Sequence, residues 1–311
     1  MNAITLTLNP AFDVHCAGES FFAEHENFAD ILSEEAGGKG VNLARALLAG
    51  GTPGKALAVL GNENAAAFRS LLEPDGLDLL ALEVPGRIRE NITLHVNGQK
   101  ETRLSFRGFE APEGLLEKVT ALLDANLREG DILTFTGSAT PGLGKPELMR
   151  FLAYYREKGA RLVIDSRSFD LSDLLTLKPW LIKPNEEEAS SLLKKPVNSF
   201  DDVKEAAKEL SEEGIEHVMV TLGAEGILLA REGKLFTARP PKITPLSTIG
   251  AGDSTIAGFV TGTLLGEDLP TALMRAAATG TAACLTPGSR PPKREEIERL
   301  LGEVVFRSLD E

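Results

Sequence analysis

Short apolar segments with β character alternate with stretches that carry apolar residues three and four positions apart. ITLTL (4–8) sets Ile4, Leu6 and Leu8 against threonines, and ALAVL (56–60) is a compact apolar run. DILTFTG (131–137), RLVID (161–165), WLIK (180–183) and HVMVTLG (217–223) continue the series. Between them, Val41–Leu48, Leu115–Leu127, Leu148–Tyr155 and Val203–Leu210 show the helical spacing. This alternation predicts an α/β fold: a doubly wound, mostly parallel sheet flanked by helices. No linker, repeat or low-complexity tract divides residues 1–311, which read as one domain.

Two regions break the rhythm. Residues 11–35 read as irregular and acidic. Residues 87–109 read as a hairpin, ENITLHV and ETRLSF joined at Asn97-Gly98, a strong turn dipeptide. A hairpin inserted into a doubly wound sheet is a lid or an oligomer edge. Residues 253–286 differ again: DSTIAGFVTGTLLG and TALMRAAATGTAACLT are rich in Gly, Ala and Thr and poor in charge. Helices apolar on every side are buried, so these belong at the centre of the molecule.

Composition narrows the function. The 311 residues are 42% hydrophobic and 25% charged, ordinary globular usage. No apolar run approaches the roughly 20 residues of a membrane helix, and MNAITLTLNPAF has no basic region that would make it a signal peptide. Cys16 and Cys284 are the only cysteines, and His15, His25, His95 and His217 are scattered, with no zinc-ligand spacing. A cytoplasmic location is the expectation. Net charge is −13, from 33 Lys+Arg against 46 Asp+Glu, which disfavours nucleic acid and anionic membranes as partners. An anionic ligand would need a local concentration of basic residues.

The richest segment is STIGAGDST (247–255). Gly250 and Gly252 turn the chain into a buried helix whose first N–H groups and dipole favour an anion. Asp253 would repel that anion unless it has a role, and removal of a proton from an attacking hydroxyl supplies one. The alternative is a plain helix cap. AGGKGVNLARAL (36–47) offers Gly37, Gly38, Gly40 and Lys39 to a polar ligand. It is no Walker A loop, because Gly40 replaces Ser or Thr, and no GxGxxG, because Leu43 takes the last glycine position. In KPNEEE (183–188), Asn185 and Glu188 share a helix face that can hold Mg²⁺ through water, or simply form a capping pair. TLGAEG (221–226) is a nucleotide loop or a plain turn. Arg87, Arg89, Arg103 and Arg107 suit a phosphate dianion; the alternative is a solvated face paired to Glu90, Glu101 and Glu110.

TLNPAFD (7–13), GGKGVNLARAL (37–47), TGSATPG (136–142), KPNEEE, TLGAEG and STIGAGDS (247–254) together resemble the ribokinase-like carbohydrate kinases, specifically the phosphofructokinase-B group. The resemblance spans nearly the whole chain, and STIGAGDS is its most specific part. It implies ATP as donor, Mg²⁺ as cofactor and a phosphorylated ketohexose as acceptor. TLNPAFD with GGKG and GRIREN implies conversion of fructose 1-phosphate to fructose 1,6-bisphosphate, with tagatose 6-phosphate and fructose 6-phosphate as alternative acceptors and a non-catalytic sensor as a further one. By the same resemblance Asp253 is the base and Gly250, Ala251 and Gly252 form the anion hole. Asp13, Gly38, Lys39, Asn42 and Ser138 meet the sugar, and Arg89 and Arg103 its phosphate. Lys183, Asn185, Thr221, Gly223 and Gly226 border the nucleotide, and Asn185 and Glu188 organise Mg²⁺ through water. The resemblance also implies a small β lid formed by about 11–35 and 87–109, whose edge is expected to pair with a second subunit. Two positions depart from the pattern: Thr286 stands where related kinases often place asparagine near adenine, and Ala139-Thr140 where Leu-Pro is common.

Overall fold

The computed structural model describes residues 1–52, 54–96 and 98–309. The first strand, β1 (Ala3–Thr7), is followed by β2 (Ala11–Gly18), β3 (Asp30–Gly37), α1 (Lys39–Ala49), β4 (Lys55–Gly61), α2 (Ala65–Leu72) and β5 (Asp78–Val84). Next come β6 (Arg89–Val96), β7 (Thr102–Ser105), α3 (Leu115–Asn126), β8 (Ile132–Thr136), α4 (Lys145–Glu157), β9 (Arg161–Asp165), α5 (Leu171–Leu177) and β10 (Leu181–Ile182). The last third holds α6 (Glu186–Leu193), α7 (Phe200–Glu212), β11 (His217–Thr221), β12 (Ile227–Arg231), β13 (Lys234–Arg239), α8 (Ala251–Leu264), α9 (Leu269–Ala283), α10 (Arg294–Leu301) and β14 (Val305–Ser308).

A 10-stranded sheet runs in the order β14-β13-β12-β11-β10-β9-β8-β1-β4-β5. From β11 to β5 every pairing is parallel, while β12, β13 and β14 add an antiparallel edge. Both faces of the parallel part are covered, and alternate strand residues enter opposite cores. Ile4, Leu133, Phe135, Ile164 and Val220 pack with α3, α4 and α7, whereas Ile132, Val163, Leu181 and Met219 pack with α1, α8 and α9. The mostly parallel sheet read from the sequence is therefore present; β12–β14 extend it beyond what the alternation predicted.

A second, 4-stranded sheet has the order β3-β2-β6-β7. The β6–β7 hairpin forms as expected, with Asn91 opposite Ser105 and Thr93 opposite Arg103; Asn97 of the expected turn lies outside the described residues. The reading of 11–35 as irregular is corrected. Residues Ala11–Gly18 and Asp30–Gly37 are strands, paired antiparallel from Ala11–Gly37 to Ala17–Asp30. The cause is a two-residue alternation in AFDVHCA: Phe12, Val14 and Cys16 pack with Phe68 and Leu72 of α2, leaving Asp13 and His15 on the other face.

Helices α8 and α9 lie closely packed because small residues line their contact. A Cβ added to Gly258 would fall 2.6 Å from the Arg275 carbonyl oxygen, and one on Gly262 would fall 2.7 Å from Ala272 Cα. The start of α8 is held against α9 in the same way, a Cβ on Gly280 falling 3.2 Å from the Ala251 carbonyl oxygen. Gly226, at the start of β12, serves the sheet in a similar way. Its φ of 94° and ψ of −130° suit glycine alone, and a Cβ there would overlap the Ala238 carbonyl oxygen of β13. Gly226→Ala is expected to cost about 2–4 kcal/mol. A lowered denaturant midpoint with an unchanged slope would show it; an unchanged midpoint would contradict it.

Candidate active site

The side chains of interest sit at the carboxyl ends of the parallel strands β1, β8, β9, β10 and β11, where open α/β sheets bind ligands. Gly250 caps α8 with φ 77°, and among the described residues no side chain caps this helix. Ala251 N–H makes a long turn bond to the Thr248 carbonyl oxygen at 3.4 Å, and the next first-turn N–H groups are open to an anion. Asp253, in that first turn, is buried. Burial, then the nearby Asp165 carboxylate, push its pKa up to about 7, against the pull of Lys39, Lys183 and a hydrogen bond from the Asn42 side chain. A carboxyl poised there is matched to proton exchange near neutrality. Its position within the first turn, not at the cap, removes the plain-cap alternative.

Lys39 opens α1 and lies along Gly137, at the end of β8. Its ammonium donates to Asp165 Oδ2 at 2.8 Å. Burial alone would lower the Lys39 pKa, but Asp165 and Asp253 outweigh it and raise the value. Lys183 comes from the end of β10, with Nζ 3.8 Å from Asp165 Oδ1 and 3.1 Å from where a Cβ on Gly252 would stand. The structure thus brings Asp253, Lys39, Asn42, Lys183 and Gly252 into one cluster. Asp165 at its centre was missed by sequence reasoning. The available signal was an aspartate closing RLVID straight after the apolar run Leu162–Ile164.

Beside this cluster, at the small sheet, a second group of polar side chains gathers around Asp13. Asn91 Nδ2 donates to Asp13 Oδ1 at 2.9 Å. Burial raises the Asp13 pKa, while Asn91, Arg103, Arg89 and His15 hold it down. The Arg89 guanidinium donates to the Phe106 and Asn9 carbonyl oxygens at 3.3 and 3.5 Å, and its burial lowers its pKa against the pull of Asp13. Asn9 Nδ2 donates to Ser138 Oγ at 3.3 Å. Gly38 holds φ 119°, and a Cβ there would come within 2.9 Å of Thr7 Cγ2. Four buried polar atoms in these residues, Asn9 Oδ1, Asn42 Oδ1, Asn91 Oδ1 and Arg89 Nε, have no protein partner. Buried polar atoms are normally satisfied, so a polar ligand is the natural complement. Arg87 instead pairs with Glu90 at 2.9 Å and is exposed, and Glu101 meets His95; Arg103 and Arg107 are exposed too, Arg103 acting on Asp13 through its charge, so the solvated-face alternative fails only for the half-buried Arg89. Asn9 and Asn91 were not foreseen as site residues. Neither was the pairing of two histidines that look scattered in the sequence: His15 Nδ1 lies 3.1 Å from His95 Nε2, beside Asp13.

On the far side of Asp253 opens a cleft of about 960 Å³. Asn185, Thr221, Gly223, Gly226, Ala251 and Gly252 line it, with Pro240, Ile243, Ala277 and Cys284 supplying apolar wall. Thr286 does not line it; its hydroxyl donates within its own loop, to the carbonyl oxygens of Ala283 at 2.8 Å and Arg290 at 3.0 Å. Asn185 and Glu188 form a reciprocal capping box on α6, Asn185 Oδ1 accepting from Glu188 N at 2.8 Å and Glu188 Oε2 from Asn185 N at 3.1 Å. The other Glu188 oxygen accepts from Arg167 at 3.1 Å. The capping alternative is thus realised here. Among the described residues no group of three or more His, Cys, Asp or Glu gathers to hold a metal. Glu187, Glu188 and Asp165 line a smaller pocket of about 210 Å³ together with Lys183 and Arg167, whose charges balance theirs.

The pfkB family carbohydrate kinase model matches residues 12–296. The chain belongs to this family. As a pfkB kinase it is a phosphotransferase with an alcohol group as acceptor. It is 29% identical over 306 residues to the 1-phosphofructokinase of Vibrio cholerae, covering 98% of this chain and 96% of that protein. It is 32% identical to the 1-phosphofructokinase of Rhodobacter capsulatus, with coverage of 98% and 97%. Among solved structures, phosphofructokinase-2 from Escherichia coli in complex with substrates and products superposes with a TM-score of 0.90 at 26% identity, covering 97% of this chain and 99% of that one. Among the described residues no helix of this pfkB kinase is long and apolar enough to cross a membrane.

Proposed function

We propose that this pfkB kinase transfers the γ-phosphoryl group of ATP to fructose 1-phosphate, giving fructose 1,6-bisphosphate. The observation that carries the reading is a buried carboxyl poised near neutrality, Asp253, at the uncapped start of α8. On one side of it is a nucleotide-sized cleft, and on the other a group of unpartnered polar atoms near Arg89 and Arg103. The names of the curated relatives support this acceptor. An E. coli phosphofructokinase-2 in complex with fructose-6-phosphate, at TM-score 0.88 and 26% identity, favours fructose 6-phosphate as the second reading.

In the proposed mechanism Asp13, Asn42 and Ser138 hold the sugar hydroxyls, and Arg89 and Arg103 take the existing phosphate. Lys183, Asn185, Thr221, Gly223 and Gly226 border ATP. Asp253 accepts the proton of the attacking sugar hydroxyl as the hydroxyl oxygen bonds to the γ-phosphorus and the bridging bond to ADP breaks. The N–H groups at Gly250, Ala251 and Gly252, with Lys39 and Lys183, meet the charge on the phosphoryl oxygens. Mg²⁺, organised through water by Asn185 and Glu188, would supply further neutralisation of the ATP phosphates. Residues 1–311 act as one domain in which the small sheet is the lid, excluding water when it closes.

The lid also presents Phe28, Ile31, Leu104 and Phe106, each more than half exposed. Burial of these side chains against a second copy gives a cytoplasmic homodimer; a monomer at micromolar concentration in sedimentation would contradict that assembly. Incubation with ATP and fructose 1-phosphate tests the reaction. ADP and a sugar bisphosphate in equal amounts are expected. Binding without turnover, or ATP hydrolysis without bisphosphate, would refute it.

A further inference from the structure

We propose that Asp165 is the positioning residue of phosphoryl transfer, one carboxylate that fixes the lysine on the acceptor side and the lysine on the donor side and sets the charge around Asp253. This rests on the reading of Asp253 as the base.

Asp165 closes β9 at 6% exposure. A lone carboxylate at that depth would be strongly disfavoured, whereas one flanked by two ammonium groups is compensated. The two oxygens are divided between two lysines from different elements. Oδ2 accepts from Lys39, at the start of α1, at 2.8 Å, and Oδ1 faces Lys183, after β10, at 3.8 Å. Each lysine borders a different part of the site. Lys39 runs along Gly137 at the end of β8, and the Lys183 ammonium lies against Gly252 in the first turn of α8. Phosphoryl transfer gains chiefly from fixed charges around the moving group. Two flexible lysine stems need an anchor to act as fixed charges, and Asp165 touches both.

The same geometry explains why Asp165 is not the base. Both of its oxygens face ammonium groups and are not free to meet a substrate hydroxyl, while Asp253 has no ion-pair partner within bonding distance among the described residues. The charged groups acting on Asp253 are Asp165 from β9, Lys39 from α1 and Lys183 after β10, with Asn42 of α1 as hydrogen-bond partner. Asp165 favours its protonated form, and the lysines favour the ionised one.

Asp165→Asn removes the charge and the anchor, and Asp165→Glu keeps the charge but shifts its place. Both variants are expected to lose about 10–100-fold in kcat with smaller changes in either KM. The acid limb of the pH profile of kcat/KM is expected to move to lower pH in Asp165→Asn and to stay in Asp165→Glu. In the ligand-free protein, the fall in Tm as pH rises through 7 should shrink in Asp165→Asn. If Asp165→Asn does not fold, Lys183→Met carries the test: its acid limb should move to higher pH. Variants that lose thermal stability while kcat and the limb stay at parental values would overturn the proposal. Failure of the base reading is distinguishable, because the parent would then lack an acid limb that Asp253→Asn removes.

Discussion

Asp253→Asn is expected to lower kcat by about 10²–10⁴-fold while leaving acceptor Kd nearly unchanged. The amide keeps the shape and most contacts of the carboxyl but cannot take a proton. The parental pH profile should show the same group. Asp253 must be ionised to act, so activity falls as pH drops below about 7. The substitution also predicts a gain in stability. The folded protein holds the Asp253 proton to about pH 7, whereas the ordinary value is 3.8. The folded state therefore binds the extra proton between those values, and stability is lost as pH rises across that window, by an amount on the order of 1–4 kcal/mol. Asn has no such loss, so the variant should melt above the parent at pH 8, with the gap narrowing as pH falls and closing near pH 4. A gap independent of pH would contradict the burial argument. Near-parental turnover would sink the assignment of the base.

Arg89→Ala is expected to raise KM for a phosphorylated acceptor by about 10–100-fold, the usual worth of a charge-assisted hydrogen bond. An unphosphorylated sugar should be affected little. The argument rests on where the guanidinium is held. Arg89 begins β6, is drawn in beside Asp13, and spends its terminal nitrogens on two carbonyl oxygens while Nε stays unpartnered. With Arg103 on the neighbouring strand, opposite Thr93, it gives a chain of net charge −13 a local cationic site. Equal loss for charged and neutral acceptors would mean that Arg89 supports the sheet and not the phosphate.

Both substitutions target residues that were visible in the sequence, and the reason is local chemistry. Asp253 stands among glycines at the start of a helix too apolar to be anything but buried, and the arginines cluster in a hairpin written as alternating residues. The parallel strands were legible for the same reason: RLVID and HVMVT are nearly continuous apolar runs, as strands covered on both faces must be. What escaped depends on long-range packing. β3 is mostly exposed and polar, DILSEEAG, and is a strand because β2 supplies its hydrogen bonds. Asp165 is unremarkable in sequence, since its importance comes from two lysines 126 and 18 positions away that only the sheet order brings near. Asn9, Asn91 and the His15–His95 contact likewise require β2 and β6 to lie side by side.

The most direct measurement is kcat/KM for acceptor-dependent ADP release at saturating ATP, compared across fructose 1-phosphate, fructose 6-phosphate, tagatose 6-phosphate and unphosphorylated fructose. The expected result is a clear preference for the phosphorylated sugars, with fructose 1-phosphate highest and fructose lowest. Fructose used as well as its phosphates, or ADP release that is independent of any acceptor, would contradict a sugar-phosphate kinase built around Asp253.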